Sequence, residues 1–181
     1  MTSGLILAAG QGSRFGGGPK QLASFKGRPL LQWAISTHCA VTELERVVVV
    51  LGAHADEILA TIDLRRAEPV ICEAWSDGLS ASLKHGMRAL ADSEKVVVTL
   101  GDQPLITADL IRRFVAEPPG TRAVYEGRPG HPVVLGRDLL PAIESLHGDR
   151  GAGPILSGWH ELECGAIAPG ADTDVDTRAD L

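Results

Sequence analysis

Short apolar runs alternate with longer amphipathic stretches along the first two thirds of the chain. Continuous apolar sequences such as VVVVL and VVVTL are typical of strands buried on both faces of a sheet. Strands are predicted at residues 4–9, 46–51, 69–73 and 95–100. Helices are predicted between them at residues 29–39, 54–62, 80–91 and 107–116, with Thr107 as an N-cap. This alternation indicates a mostly parallel sheet with helices packed on its faces.

Beyond residue 118 the pattern is less regular. Strands predicted at residues 121–125 and 132–135 could pair as a hairpin or extend the sheet separately. A helix at residues 139–146 and a weaker strand at 162–167 follow. Because no repeat or linker divides the sequence, we expect one α/β domain over residues 1–181, built as three α/β/α layers.

Charge is unevenly distributed along these 181 residues. The net charge is −6, from 17 Lys and Arg against 23 Asp and Glu, which argues against binding to nucleic acid through a broad basic surface. Residues 1–42 nevertheless carry +4 and contain no acid, so the remaining residues carry −10. This asymmetry predicts that the amino-terminal segment binds an anion.

Cysteine usage and hydropathy indicate a cytoplasmic protein. Cys39, Cys72 and Cys164 form no CxxC pair, and an odd count suits a reducing compartment better than a disulfide framework. The first apolar run, residues 5–9, is too short for a signal peptide and lacks a basic leader. No run approaches the roughly 20 apolar residues of a membrane span.

A glycine-rich segment, LAAGQGSRFGGGPK at residues 7–20, follows the first predicted strand. Open α/β sheets bind ligands at this edge, and glycines let backbone N–H groups approach phosphate oxygens. Arg14 and Lys20 supply positive charge for a polyanion. A solvated surface loop is the alternative interpretation.

Two common phosphate-binding motifs do not match this segment. A Walker A loop requires Ser or Thr directly after its lysine, but Gln21 follows Lys20. A dinucleotide fingerprint has glycine where Phe15 stands and an acid about 20 residues further on, but the first acid is Glu43. A dinucleotide-dependent oxidoreductase is therefore disfavoured.

Together with the following PKQL, the loop resembles the signature of nucleotidyltransferases with a glycosyltransferase-A-type, Rossmann-like fold, in particular the MobA-like molybdenum cofactor nucleotidyltransferases. The resemblance implies that the loop wraps a nucleoside triphosphate, with Arg14 and Lys20 as catalytic cations. LAAG stands where guanylyl-transferring members tend to have LAGG, which favours CTP as the donor. The implied nucleotide-binding residues of this segment are Leu7, Ala8, Ala9, Gly10, Gly12, Ser13, Arg14 and Lys20.

Acidic residues follow the fourth predicted strand and recur near the carboxyl terminus. Asp102, in GDQP, stands at a strand end and, from the residues alone, is either a structural cap or a metal ligand. Asp172, Asp174 and Asp176 share one face if the segment is extended, although a solvated acidic tail is the alternative. The resemblance implies that Asp102 binds catalytic Mg²⁺ and that Asp174 and Asp176, in a strand preceding a helix N-terminus, complete the site.

The closing motif departs from the family at one position. Arg178 stands where members commonly have proline, and Asp180 is expected to interact with the helix dipole.

Three further segments match the family in part. WSDGLSASL implies that Gly78, Ser80 and Ser82 lie beside the base and ribose, although helix capping would equally explain the serines. GHPV places His131 on the acceptor side, where a packed histidine is the alternative interpretation. In GDRGAG, Gly153 replaces the arginine of the family motif, which indicates a change in acceptor binding.

The resemblance thus implies an Mg²⁺-dependent transferase that moves CMP from CTP to molybdopterin and releases pyrophosphate. A sugar phosphate or another phosphorylated alcohol is the alternative acceptor, because Gly153 disturbs the acceptor motif. A nucleotide-binding protein without turnover is the alternative from another functional class.

Overall fold

The computed structural model describes residues 1–16, 18–155 and 158–181. The strands are β1 (Thr2–Ala8), β2 (Ser24–Phe25), β3 (Arg28–Pro29), β4 (Val47–Leu51), β5 (Ala67–Ile71), β6 (Lys95–Leu100), β7 (Thr121–Tyr125), β8 (Arg128–Gly136) and β9 (His160–Glu163). The α-helices are α1 (Leu30–Cys39), α2 (Ala55–Thr61), α3 (Leu79–Ala89), α4 (Ala108–Ala116) and α5 (Leu140–Glu144). Short 3₁₀ turns occur at Lys20–Leu22, Glu73–Asp77, Arg137–Leu139, Gly153–Ile155 and Arg178–Asp180.

Seven of these strands form one mixed sheet in the order β5-β4-β1-β6-β8-β7-β9. The first four are parallel, β8 runs antiparallel to both of its neighbours, and β9 is parallel to β7. Strand β4 is buried along its whole length, as its uninterrupted apolar sequence predicts. Leu7 of β1 pairs with Leu100 of β6, so the segments that follow these strands emerge at the same edge of the sheet.

Helices cover both faces of the sheet and confirm the three-layer α/β/α prediction. On one face α1, α2 and α4 contribute Ile35, Ile58 and Phe114 to a buried cluster. On the other face α3 and α5 contribute Met87 and Ile143 to a second cluster. No helix in the described parts of the chain combines the length and apolarity needed to cross a membrane.

A buried histidine links α1 to the centre of the sheet. His38 is 1% exposed, and its Nδ1 donates to the Ala34 carbonyl oxygen at 2.9 Å. Its Nε2 lies 3.2 Å from the Thr99 hydroxyl of β6 and accepts from it in the neutral tautomer. Burial lowers the pKa of His38 to about 4, so the ring is uncharged at neutral pH.

The structure corrects several predicted elements. The predicted strand at 162–167 is wrong: β9 ends at Glu163, and the Ile167 and Ala168 N–H groups both donate to the Cys164 carbonyl oxygen in a tight turn. The helix expected at 139–146 is shorter, because a 3₁₀ turn leads into α5. The strand expected at 69–73 begins two residues earlier, as β5.

Other expectations are confirmed or resolved. Strands β7 and β8 pair antiparallel as a hairpin. The Thr107 hydroxyl accepts from the Leu110 N–H at 3.2 Å and caps α4. The small hairpin of β2 and β3 was not predicted, because strands of two residues carry no detectable alternation.

Candidate active site

A cavity of about 410 Å³ lies at the carboxyl edge of β1 and β6. Open α/β sheets place ligand sites at this edge. Ten residues assigned from the sequence line it, namely Leu7, Ala8, Ala9, Gly10, Gly12, Ser13, Lys20, Gly78, Ser82 and Asp102. The predicted loop and the predicted acid therefore meet in one cavity.

The path of the glycine-rich loop is set by Gly12 and Gln21. Gly12 has φ of +65°, and a Cβ there would lie 2.8 Å from the Cβ of Lys20. The buried amide of Gln21 donates to the carbonyl oxygens of Ala8 at 2.8 Å and Gly10 at 2.7 Å. Sequence reasoning assigned no role to Gln21, although its position beside Lys20 in PKQL was a usable signal. Its two hydrogen bonds fix the point where the chain leaves β1.

The ammonium of Lys20 bridges two of the predicted metal ligands. Its Nζ lies 2.6 Å from Oδ2 of Asp102 and 3.1 Å from Oδ1 of Asp176. Burial on its own lowers the pKa of Lys20, but the charges and hydrogen bonds of Asp102 and Asp176 outweigh it, so the pKa is raised. Lys20 is therefore a fixed cation between two carboxylates.

The other two acids of the closing segment have different partners. The Gln103 amide donates to Oδ1 of Asp174 at 2.7 Å. Partial burial and the charge of Asp102 raise the pKa of Asp174, while the Gln103 hydrogen bond opposes that rise. Asp172 faces away toward Arg128, whose Nη2 lies 3.3 Å from Oδ2. The three alternating aspartates thus do not act as one acidic face.

The expected strand before a helix N-terminus is absent from residues 172–180. A 3₁₀ turn, Arg178–Asp180, follows an irregular segment. Oδ2 of Asp180 accepts from the N–H groups of Asp176 at 3.1 Å and Thr177 at 2.7 Å, which closes a capping box. Asp180 is therefore a local cap rather than a partner of an α-helix dipole.

The acidic site fits a hard divalent cation. Within residues 1–16, 18–155 and 158–181, no three His, Cys, Asp or Glu side chains are arranged as a metal site. Oδ1 of Asp102 is nevertheless buried without a hydrogen-bond partner, and Oδ2 faces the Lys20 ammonium, which stands in for a cation. Carboxylate oxygens are the ligands that Mg²⁺ and Mn²⁺ prefer. Asp102 and Asp176, with Asp174 nearby, are the residues that would hold such an ion.

Arg14 and Ser80, both predicted to bind nucleotide, do not line the described cavity. The Arg14 side chain is exposed. Ser80 is buried, and its N–H donates to the Gly148 carbonyl oxygen at 3.0 Å. Neither Ser80 nor Ser82 caps α3, because Gly78 occupies the N-cap position and no side chain caps the helix.

His131, predicted on the acceptor side, lies in β8 before a cis peptide bond to Pro132. Its carbonyl oxygen accepts from the Tyr125 hydroxyl at 2.7 Å. Burial lowers the pKa of the His131 imidazole to about 4, although the nearby charge of Asp102 opposes the shift. The ring is therefore neutral at neutral pH and adds no positive charge for an acceptor phosphate.

A loop that follows α5 packs on the N-terminus of α3. Gly78 has φ of +99°, and a Cβ there would lie 2.5 Å from the carbonyl carbon of Gly148 and 2.6 Å from Oδ1 of Asp149. Oδ1 of Asp149 also accepts from the Leu79 N–H at 3.3 Å. Asp149 and Trp75 line the cavity and were not predicted. GDRGAG was a signal for Asp149, but Trp75 had no local signal apart from its place in WSDGLSASL.

Comparison with known proteins assigns the family. Residues 4–164 match the MobA-like NTP transferase domain. The chain belongs to the MobA-like NTP transferase family. This confirms the resemblance seen in the sequence, and the protein is a nucleotidyltransferase of that family. MobA-like nucleotidyltransferases use divalent metals and act on nucleoside triphosphates and phosphorylated acceptors.

Individual relatives of this MobA-like chain carry different names. It is 34% identical over 187 positions to nicotine blue oxidoreductase of Paenarthrobacter nicotinovorans. This alignment covers 95% of this chain and 91% of that protein. The structure of Rv0371c from Mycobacterium tuberculosis H37Rv is similar, with a TM-score of 0.83, 29% identity, and coverage of 99% and 94% of the two chains. Rv0371c has also been solved in complex with manganese. A nucleotidyl transferase from Methanothermobacter aligns with a TM-score of 0.81 at 25% identity, over 99% and 94% of the two chains.

Proposed function

We propose that this chain transfers CMP from CTP to molybdopterin and releases pyrophosphate, with Mg²⁺ or Mn²⁺ in the acidic site. The observation that carries the proposal is the convergence of a glycine-rich loop, its lysine and Asp102 at one cavity, with Asp176 3.1 Å from the same lysine. A triphosphate needs close backbone N–H groups and a cation, and a divalent ion needs carboxylates. The cavity brings both sets together.

The loop and Lys20 would bind the triphosphate. Gln21 holds the start of the loop by its hydrogen bonds to Ala8 and Gly10, so the loop amides are organised before the nucleotide arrives. Lys20 already lies in the cavity as a fixed cation. Since residues 1–42 carry no acid, this wall of the cavity adds no repulsion against phosphate.

Asp102 and Asp176 would hold the divalent ion. When bound, this ion would neutralise phosphate oxygens and stabilise the charge that develops on pyrophosphate. The two carboxylates would then no longer need the Lys20 ammonium, which could donate to phosphate oxygens instead. Lys20 and the acid pair would thus serve both the resting and the substrate-bound enzyme.

The reaction needs no nucleophile from the protein. A phosphate oxygen of the acceptor attacks the α-phosphorus in line, the bond between the α-phosphorus and the bridging oxygen breaks, and its electron pair leaves with pyrophosphate. The protein contributes orientation and charge neutralisation. Neutral His131 is suited to hydrogen bonding on the acceptor side rather than to binding a phosphate by charge.

CTP and molybdopterin are the donor and acceptor that we propose, on the basis of the LAAG sequence and the family. A sugar phosphate or another phosphorylated alcohol is the alternative acceptor, because exposed Gly153 stands in place of the family arginine. We also place the enzyme in the reducing cytosol, which the three free cysteines support.

The proposal is tested by pyrophosphate release with Mg²⁺ or Mn²⁺, each of the four NTPs in turn, and either molybdopterin or a sugar phosphate. We expect release with CTP and molybdopterin. Release with the sugar phosphate alone would reassign the acceptor. Nucleotide binding without release from any pairing would identify a binding protein without turnover.

A dinucleotide-dependent reductase is the second candidate, because the relative that matches 95% of the chain is named an oxidoreductase. The loop argues against it. Phe15 stands where the fingerprint has glycine and is buried with Leu30 and Val175, and the loop leads into a 3₁₀ turn rather than directly into an α-helix. Tight NADH or NADPH binding, measured by fluorescence titration, would favour this candidate.

A further inference from the structure

The carboxyl-terminal segment is attached to the glycine-rich loop by one arginine. Nε and Nη2 of Arg178 donate to the Gly16 carbonyl oxygen at 3.3 and 3.1 Å. The same guanidinium lies 5.5 Å from the centroid of the Phe15 ring. A lysine would reproduce these contacts only in part, because its ammonium lacks the planar guanidinium that stacks on a ring while two N–H groups donate to one carbonyl oxygen.

An apolar contact supports the same attachment. Phe15, Leu30 and Val175 form a small buried cluster separate from the two main cores. The N–H of Val175 donates to the Asp102 carbonyl oxygen at 3.0 Å. The segment that carries Asp176 is therefore fixed both to the loop and to the turn after β6.

Three glycines of the loop have no close neighbours. A Cβ added at Gly10, Gly16 or Gly18 would meet no atom within 4 Å, and φ is +67° at Gly16 and +112° at Gly18. Glycines with such freedom lose much conformational entropy when a loop is ordered. External contacts such as those of Arg178 are needed to keep the loop in one conformation.

We infer that Arg178 is a positioning residue, which orders the Phe15–Gly16 turn so that the loop amides are arranged for phosphate. It couples this loop to the segment that bears Asp176, and so orders both halves of the site together. The ligand named here, a nucleoside triphosphate, rests on the proposed function. The ordering of the loop does not depend on that function.

The first experiment measures loop order without nucleotide. Arg14 is an exposed trypsin site inside the loop, and cleavage there yields a fragment of residues 1–14 that is resolved on a denaturing gel. Because proteolysis follows local opening, we expect Arg178→Ala to accelerate this cut about tenfold, and Arg178→Lys to give an intermediate rate. The control is Arg137→Ala, because Arg137 is an exposed arginine at the opposite edge of the sheet. This variant should be cleaved at Arg14 at the wild-type rate. The melting temperature of Arg178→Ala should fall by no more than about 4 °C.

The second experiment measures CTP affinity and turnover in the same variants. We expect Arg178→Ala to raise the KM and the Kd for CTP about tenfold while kcat changes less than about threefold, because a disordered loop weakens phosphate binding. Arg178→Lys should recover part of the affinity.

Two results would overturn the inference, and a third would overturn the proposed function instead. An unchanged cleavage rate at Arg14 in Arg178→Ala would show that the arginine does not order the loop. Faster cleavage with unchanged CTP affinity would show that this order has no role in binding. If the wild type bound no NTP, the proposed function would fail and the ligand would be wrong, even where the cleavage result held.

Discussion

The ammonium of Lys20 lies 2.6 Å from a carboxylate oxygen of Asp102, so the lysine of the loop occupies the acidic site that would hold a divalent ion. A second contact, 3.1 Å to Asp176, completes the bridge. An ammonium and a metal ion cannot both neutralise the same carboxylate oxygens at full strength. In the absence of nucleotide, Lys20 should therefore compete with the metal.

Lys20→Gln should bind Mn²⁺ alone more tightly than the wild type, by about tenfold, because the resident cation is gone. The same variant should bind CTP more weakly, since the triphosphate loses its cation. Titration calorimetry with Mn²⁺ in the absence of nucleotide measures the first effect. Lys26→Gln, an exposed lysine on the β2–β3 hairpin, is the control. Unchanged or weaker Mn²⁺ binding in Lys20→Gln would refute the competition.

Gly78→Ala should destabilise the protein by about 3 kcal/mol, because its methyl group would meet the backbone of Gly148 as well as adopt a strained φ. Gly127→Ala is the matched control. Gly127 has φ of +78°, and no atom lies within 4 Å of an added Cβ. Gly127→Ala should therefore lose only the about 1 kcal/mol that comes from backbone strain. Urea unfolding compares the two. Equal decreases in the free energy of unfolding for the two variants would show that close packing of the loop after α5 on α3 does not stabilise the fold.

His38 should make stability depend on pH. Burial, and to a lesser degree the charge of Arg66, hold the pKa of His38 at about 4 in the folded state, against 6.5 for an ordinary histidine. Between these values the unfolded chain takes up a proton that the folded chain does not. The contribution of His38 to the free energy of unfolding is therefore fully present above pH 6.5. It is lost as pH falls toward 4, by up to about 1.4 kcal/mol per pH unit.

The measurement is urea unfolding of wild type and His38→Gln between pH 7 and 4.5. Other groups also titrate in this range, so the decisive quantity is the difference between the two slopes. His147→Gln, at an exposed histidine, should keep the wild-type slope. Parallel curves for wild type and His38→Gln would contradict the assignment.

Local patterns predicted what depends on local physics. Continuous apolar runs located β4 and β6, and a threonine before an amphipathic stretch located the start of α4. The glycine-rich loop and Asp102 were predicted at one sheet edge because parallel strands end together. The β2–β3 hairpin carried too few residues for any periodic signal.

Long-range pairing could not be predicted in the same way. Lys20 and Asp176 are 156 positions apart, and Arg178 and Gly16 are 162 apart. Motif matching placed Lys20 against phosphate and Asp176 against metal, but it could not show that the two side chains contact each other. That contact depends on how the closing segment packs on Phe15 and Leu30, which no local pattern encodes.

Asp102→Asn tests the acidic site most directly. The substitution keeps the size of the side chain and leaves the backbone contact from Val175 to the Asp102 carbonyl oxygen unchanged. It should therefore leave the fold intact and remove one metal-binding carboxylate. Asp109→Asn, at an exposed aspartate in the first turn of α4, is the matched control.

The decisive measurement is pyrophosphate release from CTP in the presence of Mg²⁺ or Mn²⁺ and molybdopterin, for the wild type and these two variants. We expect release by the wild type and by Asp109→Asn, and a loss of at least about 100-fold in Asp102→Asn. Two results would contradict metal-dependent nucleotidyl transfer in this cavity. One is that Asp102→Asn releases pyrophosphate as fast as the wild type, and the other is that the wild type releases none with any NTP and acceptor.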